Sequence, residues 1–289
     1  MKTKKYAAID VGSNAMRLLI NNVIEIDGEK LYKKADIIRI PIRLGTEAFL
    51  DGKISDQTIQ KFLSAMNAYA HLMIAHGVVK YRACATSALR EASNGAEIIA
   101  MVKQETEIDL EIINGQEEAQ IIYATHIERL MNNQGAFLYV DVGGGSVEIT
   151  LFENGKTLES ESFNVGTIRL LNDLVSDEVQ DDLKYWIQEI TKGKKVYLIG
   201  SGGNINKVFK LSRRPKNEAL SLHYLENYLE GLQNHTYEER VTKLDLNLDR
   251  ADVIIPALKI FTAMMRWSNA DKIYVPKIGL ADGIIKMMD

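Results

Sequence analysis

Two stretches of this chain follow one plan: "YAAIDVGSNAMRLLI" at residues 6–20 and "FLYVDVGGGSVEITLF" at 137–152. Each is an apolar, β-branched run, then Asp-Val-Gly, a short loop and a second apolar run, which reads as strand, glycine turn, strand. Asp10 and Asp141 hold the same place in the two copies. A device repeated near the start of two halves of similar size implies a duplicated α/β domain. The expected boundary lies near residues 125–136, giving an N-terminal domain over 1–128 and a C-terminal domain over 129–289, with both glycine hairpins facing a shared cleft.

The remaining pattern fits an alternation of strands and helices. Tyr6–Ile9, Arg17–Val23 and Asp36–Leu44 read as strands, and Ser55–His76 carries apolar residues at helical spacing. "YRACAT" reads as a strand entering a helix at "SALREA", with Ser87 as N-cap, and Asn94 with Glu97 form a capping-box pattern for the next helix, through Gln104. "DLEIIN" reads as a strand and "EEAQIIYATHIERLM" as a helix with acids in its first turn. Beyond the "NNQG" break at 132–135, Asn154-Gly155 marks a hairpin turn. Helical patterns then run from Thr167, over Asp177–Thr191, over Leu222–Asn234 and from Arg250. "KVYLIGSGGNINKVF" adds a third glycine loop between a strand and a helix.

The 289 residues are enough for two domains with their own cores, and 46% apolar with 26% charged residues is ordinary globular composition. A formal net charge of −4 gives no global attraction for a nucleic-acid polymer or an anionic membrane. Cys84 is the single cysteine, so no intramolecular disulfide forms, which fits a reducing cytoplasm. The N-terminus lacks the apolar core of a signal peptide, and Val253–Met265 is interrupted by Pro256 and Lys259, so neither is expected to enter a membrane. The expectation is a cytoplasmic protein.

Glycine turns after strands expose backbone N–H groups that can ring an anion, and bare backbone lets phosphate oxygens approach closely. A carboxylate beside a phosphate is repulsive unless a divalent cation or an oriented water lies between them. Asp10, Asp141 and Glu148 therefore point to Mg²⁺, or another divalent ion such as Mn²⁺. One such hairpin alone is equally a tight turn with a capping aspartate; two copies and "GSGG" favour phosphate. Glu117 and Glu118 of "GQEEA" are either solvated helix-start acids or include a general base. Arg90 is either a surface arginine or a phosphate fork. The basic run Lys207–Lys216 and "KGKK" at 192–195 read as solvated faces or a polyanion track. No zinc motif, Walker A loop, Rossmann spacing or nucleophile elbow is present, and Cys84 reads as a small buried residue.

Taken in order, "DVGSNAMRLLI", "ATSALREA", "INGQEEAQIIY", "DVGGGSVEIT", "VGTIRL", "GSGGNI", "RADVIIPAL" and "GLADGII" resemble the exopolyphosphatase/guanosine pentaphosphate phosphohydrolase family over essentially the whole chain. The two DxG loops alone suit actin, heat-shock chaperones or sugar kinases equally. The resemblance implies a duplicated actin-like, ribonuclease H-like ATPase fold, α/β in class, in a short two-domain form. It also implies Mg²⁺-dependent removal of the terminal phosphate from inorganic polyphosphate or pppGpp, and a homodimer. Glu118 matches the family's catalytic glutamate, the base for the attacking water. Asp141, Glu148 and Asp10 match the acidic, metal-associated positions. Ser13, Asn14, Arg90, Gly143, Gly144, Gly145, Ser146, Gly202 and Gly203 match the phosphate contacts. Val147, Ala15 and Asn204 depart from the hydroxyl residues usual in the family's loops. Two other classes stay open: an ATP-dependent kinase of the same superfold, and a non-catalytic actin-like nucleotide binder.

Overall fold

The computed structural model describes residues 2–125, 135–215 and 218–288. The chain divides into two compact units, Met1–Thr125 with Leu280–Asp289, and His126–Gly279.

The first unit starts with β1 (Lys2–Val11), β2 (Met16–Ile26), β3 (Glu29–Ile40), α1 (Leu44–Leu50) and α2 (Asp56–His76). It continues with β4 (Lys80–Ala85), α3 (Ser87–Glu91), α4 (Gly95–Thr106), β5 (Leu110–Ile112) and α5 (Gly115–Tyr123). Its sheet has the order β3-β2-β1-β4-β5, antiparallel among β1 to β3 and parallel from β1 through β4 to β5. Ala7, Ile9 and Val11 alternate into a core closed by Phe62, Met66 and Tyr69 of α2. Tyr69 is fully buried, and its hydroxyl lies 3.1 Å from the carbonyls of Met16 and Ile38. The polar tip of a large apolar side chain thus stays satisfied inside the core.

The second unit repeats the scheme with β6 (Ala136–Val142), β7 (Val147–Glu153), β8 (Lys156–Phe163), α6 (Thr167–Leu171), α7 (Asp177–Thr191), β9 (Val196–Ser201) and α8 (Gly203–Leu211). There follow β10 (Leu220–Ser221), α9 (Leu222–Gln233), α10 (Tyr237–Thr242), α11 (Leu248–Ala251), α12 (Ile254–Trp267) and β11 (Lys272–Tyr274). The sheet order β10-β11-β9-β6-β7-β8 contains the order of the first unit, with β8, β7, β6, β9 and β11 in the places of β3, β2, β1, β4 and β5. Antiparallel and parallel pairings also correspond. The α/β fold is therefore duplicated. Its second core gathers Val140, Val147, Ile149 and Leu198 around Phe261, Met264 and Met265 of α12.

The last helix, α13 (Leu280–Met287), packs on α5, β1 and β2 of the first unit, whereas the sequence placed the C-terminal domain through residue 289. A side chain at Gly283 would lie 2.1 Å from the Ile121 carbonyl oxygen, so only glycine permits this approach of α13 to α5. Lys286 Nζ also donates to the Thr125 carbonyl at 2.7 Å.

Local expectations failed where distant partners competed. The strand expected to reach Leu44 stops at Ile40, before Pro41, and Arg43 turns into α1 with φ 61°. Asn94 does not cap α4; its side chain bridges the backbone N–H and C=O of Ile54. Ser87 is the first helical residue of α3 rather than its N-cap, and its hydroxyl pairs with that of Ser13 at 2.8 Å. The expected helix from Glu117 ends at Tyr123, and the part expected over 126–131 lies outside the described residues. Among the described residues no helix is long and apolar enough to cross a membrane.

Candidate active site

In the second unit β6 and β7 run antiparallel with Asp141 opposite Glu148 and Val142 opposite Val147, and residues 143–146 form the connection. Residues directly opposite on antiparallel strands share a face, so the two carboxylates stand side by side. Glu148 is buried and accepts from the hydroxyls of Ser146 and, at 3.3 Å, Ser162. Asp141 Oδ2 accepts from Ser201 Oγ at 3.1 Å and from Tyr139 at 3.4 Å. Burial, with the Asp141 charge beside it, pushes the Tyr139 phenol well above its ordinary pKa, so it remains a proton donor to that carboxylate.

The loop is held from behind by "VGTIRL". Thr167 N–H donates to Gly143 O at 3.0 Å, Ile168 N–H to Gly144 O at 2.9 Å, and Arg169 Nε to Gly145 O at 2.7 Å. In a planar trans peptide the C=O of one residue and the N–H of the next point in opposite directions. Tying back three carbonyls therefore turns the amides of Gly144, Gly145 and Ser146 the other way, away from the bracing segment. Gly166 makes this possible: a Cβ there would sit 2.1 Å from Gly144 O and 2.4 Å from Gly145 N. The third loop adjoins the second. Gly202 has φ 107°, and a Cβ on it would approach Val142 O to 2.9 Å. Arg250 Nη1 ties the Gly203 carbonyl at 3.0 Å.

The first unit repeats the geometry. Gly12 N–H donates to Ala15 O at 3.2 Å, as Gly143 N–H does to Ser146 O at 3.0 Å. Gly45 N–H and Arg43 N–H hold the carbonyls of Ser13 and Asn14 at 2.8 and 3.1 Å, matching the bracing by α6. The charge differs: opposite Asp10 stands Arg17, where the second unit has Glu148 opposite Asp141. Arg17 Nη1 lies 3.3 Å from the Asp10 carboxylate. Burial nonetheless raises the Asp10 pKa, and Arg17 only partly opposes that.

The two acids of "GQEEA" part company in α5. Asn114 caps the helix by accepting from Glu117 N–H at 2.9 Å, and the Glu117 carboxylate turns outward to Arg82. Glu118 is buried, with Arg90 Nη1 3.6 Å from its Oε1. Arg90 Nη1 also donates to Ile113 O at 2.9 Å. Since Ser87 and Arg90 both belong to α3, that short helix links the Ser13 loop to Glu118. Cys84 is buried, and burial pushes its thiol far above the ordinary range.

Each unit thus gathers its own share of the expected residues: Asp10, Ser13, Asn14, Arg90 and Glu118 in the first; Asp141, Gly143–Ser146, Glu148, Gly202 and Gly203 in the second. Sequence reasoning used "VGTIRL" only as a marker and did not see Gly166, Thr167 and Arg169 as the brace of the loop. Ser201 was likewise missed, although its place two residues before Gly203 in "GSGG" was visible.

The profile of the Ppx/GppA phosphatase family matches residues 36–288. The chain belongs to that family. Exopolyphosphatase 1 of Mycobacterium tuberculosis is 22% identical over 304 residues, covering 97% of this chain and 87% of the relative. Exopolyphosphatase 2 of the same organism is 33% identical over 176 residues, 59% of this chain and 54% of the relative. Among solved structures, the Ppx/GppA member of Aquifex aeolicus superposes with a TM-score of 0.77 at 22% identity, over 99% of this chain and 98% of that one. An exopolyphosphatase of Cytophaga hutchinsonii gives 0.82 at 23% identity, over 99% and 97%. These likenesses show the fold of Ppx/GppA proteins. Val147 is fully buried in the second core, on the strand face opposite Glu148. Ala15 and Asn204 are also largely buried.

Proposed function

We propose that the chain hydrolyses the terminal phosphoanhydride bond of inorganic polyphosphate, and that it also removes the 5′-phosphate of pppGpp. The observation that carries this reading is the glycine loop at 143–146, whose three carbonyls are tied back so that three consecutive amides face outward beside Asp141 and Glu148. Preorganised donors of this kind stabilise the charge that builds on a transferring phosphoryl group. Membership of a phosphatase family and the exopolyphosphatase relatives support the same reaction class.

Among the described residues, no group of three or more Asp, Glu, His or Cys side chains forms a metal cage. Mg²⁺ does not require one, because it takes one or two carboxylates and completes its shell with water and substrate phosphates. Asp141 and Glu148 supply two hard oxygen donors at one point of the sheet, which fits. They would hold the ion, with Asp10 the corresponding acid of the first unit. When bound, the ion would neutralise phosphate charge.

Each protein group then has a defined task. The amides of Gly144 to Ser146 hold the oxygens of the terminal phosphate, and Ser13, Asn14, Arg90, Gly202 and Gly203 contribute further phosphate contacts. Glu118 takes a proton from water as the water oxygen bonds to the terminal phosphorus. The bond from that phosphorus to the bridging oxygen breaks, and the shortened chain leaves with the electron pair. Burial of Glu118 beside Arg90 keeps this base in one orientation.

The test is orthophosphate release from long-chain polyphosphate, tripolyphosphate, pppGpp and ATP, with Mg²⁺, with Mn²⁺ and with chelator. Metal-dependent release from polyphosphate is expected. ATP turnover that rises with an added sugar, with no release from polyphosphate, would replace this reading with a kinase.

A further inference from the structure

Ser162 has no part in the reaction above, yet its hydroxyl reaches the buried Glu148 carboxylate at 3.3 Å. It stands on β8, the edge strand of the second sheet, directly opposite Glu148 in the register. Residues opposite each other on antiparallel strands share a face, so the strand pairing itself delivers the serine to the carboxylate. One step along that face Thr150 stands opposite Ser160, with the two hydroxyls 3.0 Å apart. Two successive hydroxyl contacts thus fix β8 against β7 here, although most of the edge strand is exposed.

An ionised carboxylate only accepts hydrogen bonds, so each hydroxyl beside it donates. Glu148 Oε1 takes two, from Ser146 and Ser162, and Asp141 Oδ2 takes two, from Ser201 and Tyr139. The first unit repeats the strands without these hydroxyls. Tyr139 lies two residues before Asp141 and Ser146 five after it; the same places around Asp10 hold Ala8 and Ala15. Ser201 is the register partner of Asp141, where Asp10 has Cys84. Ser162 is the partner of Glu148, where Arg17, the residue opposite Asp10, has Arg39. Both units nonetheless close the turn with the same backbone bond, Gly12 N–H to Ala15 O and Gly143 N–H to Ser146 O. The turn therefore does not need the hydroxyls. They go with the paired acids.

We propose that Ser162 is a positioning residue for a divalent cation, holding Glu148 in its ligating orientation, an inference that rests on the reading of Asp141 and Glu148 as the Mg²⁺ carboxylates. A glutamate side chain has several rotatable bonds, and ordering them only when the ion arrives would weaken binding. Hydroxyls that order the side chain in the folded protein move that cost into folding, as outer-shell partners of metal ligands do.

The experiment titrates Mn²⁺, which suits the same oxygen ligands as Mg²⁺, into the whole chain without substrate, and reads the dissociation constant by calorimetry and by the EPR signal of the free ion. Ser162→Thr keeps the hydroxyl, Ser162→Val removes it at nearly the same size, and Ser160→Ala is the control on the same strand and face. S162V is expected to bind Mn²⁺ about 10- to 100-fold more weakly, with S162T and S160A within about threefold of wild type. In phosphate release the S162V defect should show as a raised Mg²⁺ requirement, with the rate recovering at saturating Mg²⁺; general loosening of the strand would lower the rate at every concentration. If S162V melts early, S162A against S162T makes the same comparison. Equal affinity in S162V and S162T, an equal loss in S160A, or no Mn²⁺ binding by wild type overturns the proposal. A wild type that binds Mn²⁺ with this dependence on Ser162 but releases no phosphate from polyphosphate or pppGpp refutes the hydrolase reading and leaves the role of Ser162 standing.

Discussion

Replacing Gly166 with alanine tests whether the glycine loop at 143–146 depends on its brace. The backbone at Gly166 has φ −109° and ψ 167°, extended values open to any residue, so the substitution carries a steric penalty and no dihedral one. The added Cβ would lie 2.1 Å from Gly144 O and 2.3 Å from Gly144 C. A carbon–oxygen contact of about 3.3 Å is tolerable, so the loop and α6 must separate by about 1.2 Å. The bonds from Thr167 N–H and Ile168 N–H to the loop, 3.0 and 2.9 Å long, do not survive that separation. Overpacking of about 1–3 kcal/mol, with about 1 kcal/mol for each of the two lost hydrogen bonds, gives a destabilisation of about 3–5 kcal/mol. The melting temperature should fall by roughly 6–20 °C. Displacing the donors by about 1 Å should lower kcat for phosphate release about 10²-fold. The control is Gly231→Ala in α9, where nothing lies within 4 Å: turnover should be unchanged and stability up by as much as about 1 kcal/mol. Wild-type turnover and melting in G166A would show that the close approach is not required, and the account of the brace would fail.

Three further outcomes follow from individual contacts. Arg169→Ala removes the bond to Gly145 O, a charged donor worth about 1.5–3 kcal/mol, and should cut kcat/KM about 10–100-fold; a loss below twofold in steady-state assays would contradict it. Gly283→Ala would drive a Cβ into the Ile121 carbonyl and part α13 from α5, so both melting temperature and turnover should drop; a stable variant with normal activity would refute the packing argument. Glu47 titrates below its ordinary 4.5: partial burial raises its pKa, but hydrogen bonds from Ser55 N–H, Thr58 and Ser55 together outweigh it. Its contribution to stability is therefore present above pH 4.5 and lost as pH falls through the lower folded value, so E47Q should melt below wild type at pH 7, with the gap closing in acid. A gap independent of pH would contradict the charge assignment.

The duplicated framework was legible because period-two apolar runs and the paired Asp-Val-Gly turns are local signals. Even the charge inversion between Arg17 and Glu148 could have been read by aligning the two turns, since each residue lies seven positions after its aspartate. Features set by distant partners were not legible. Asn94 looked like a cap, yet its amide bridges Ile54, 40 residues away. Ser87 looked like a cap, yet its hydroxyl meets Ser13 across 74 residues. Gly166 and Gly283 are needed because of backbone atoms at Gly144 and Ile121, and a glycine in the sequence does not name what will approach it. The separation of Glu117 from Glu118 is of the same kind. Both lie in the first turn of α5, but one meets Arg82 at the surface and the other is buried beside Arg90.

The most direct test of the proposed mechanism is single-turnover phosphate release from long-chain polyphosphate by wild type and Glu118→Gln, with Mg²⁺ and with polyphosphate binding measured separately. Glutamine keeps the shape of the buried side chain but cannot accept the proton of the attacking water. Release should slow by about 10²- to 10⁴-fold while the dissociation constant stays within about threefold of wild type. Wild-type release by E118Q, or a loss of rate matched by an equal loss of binding, would contradict the assignment of Glu118 as the base.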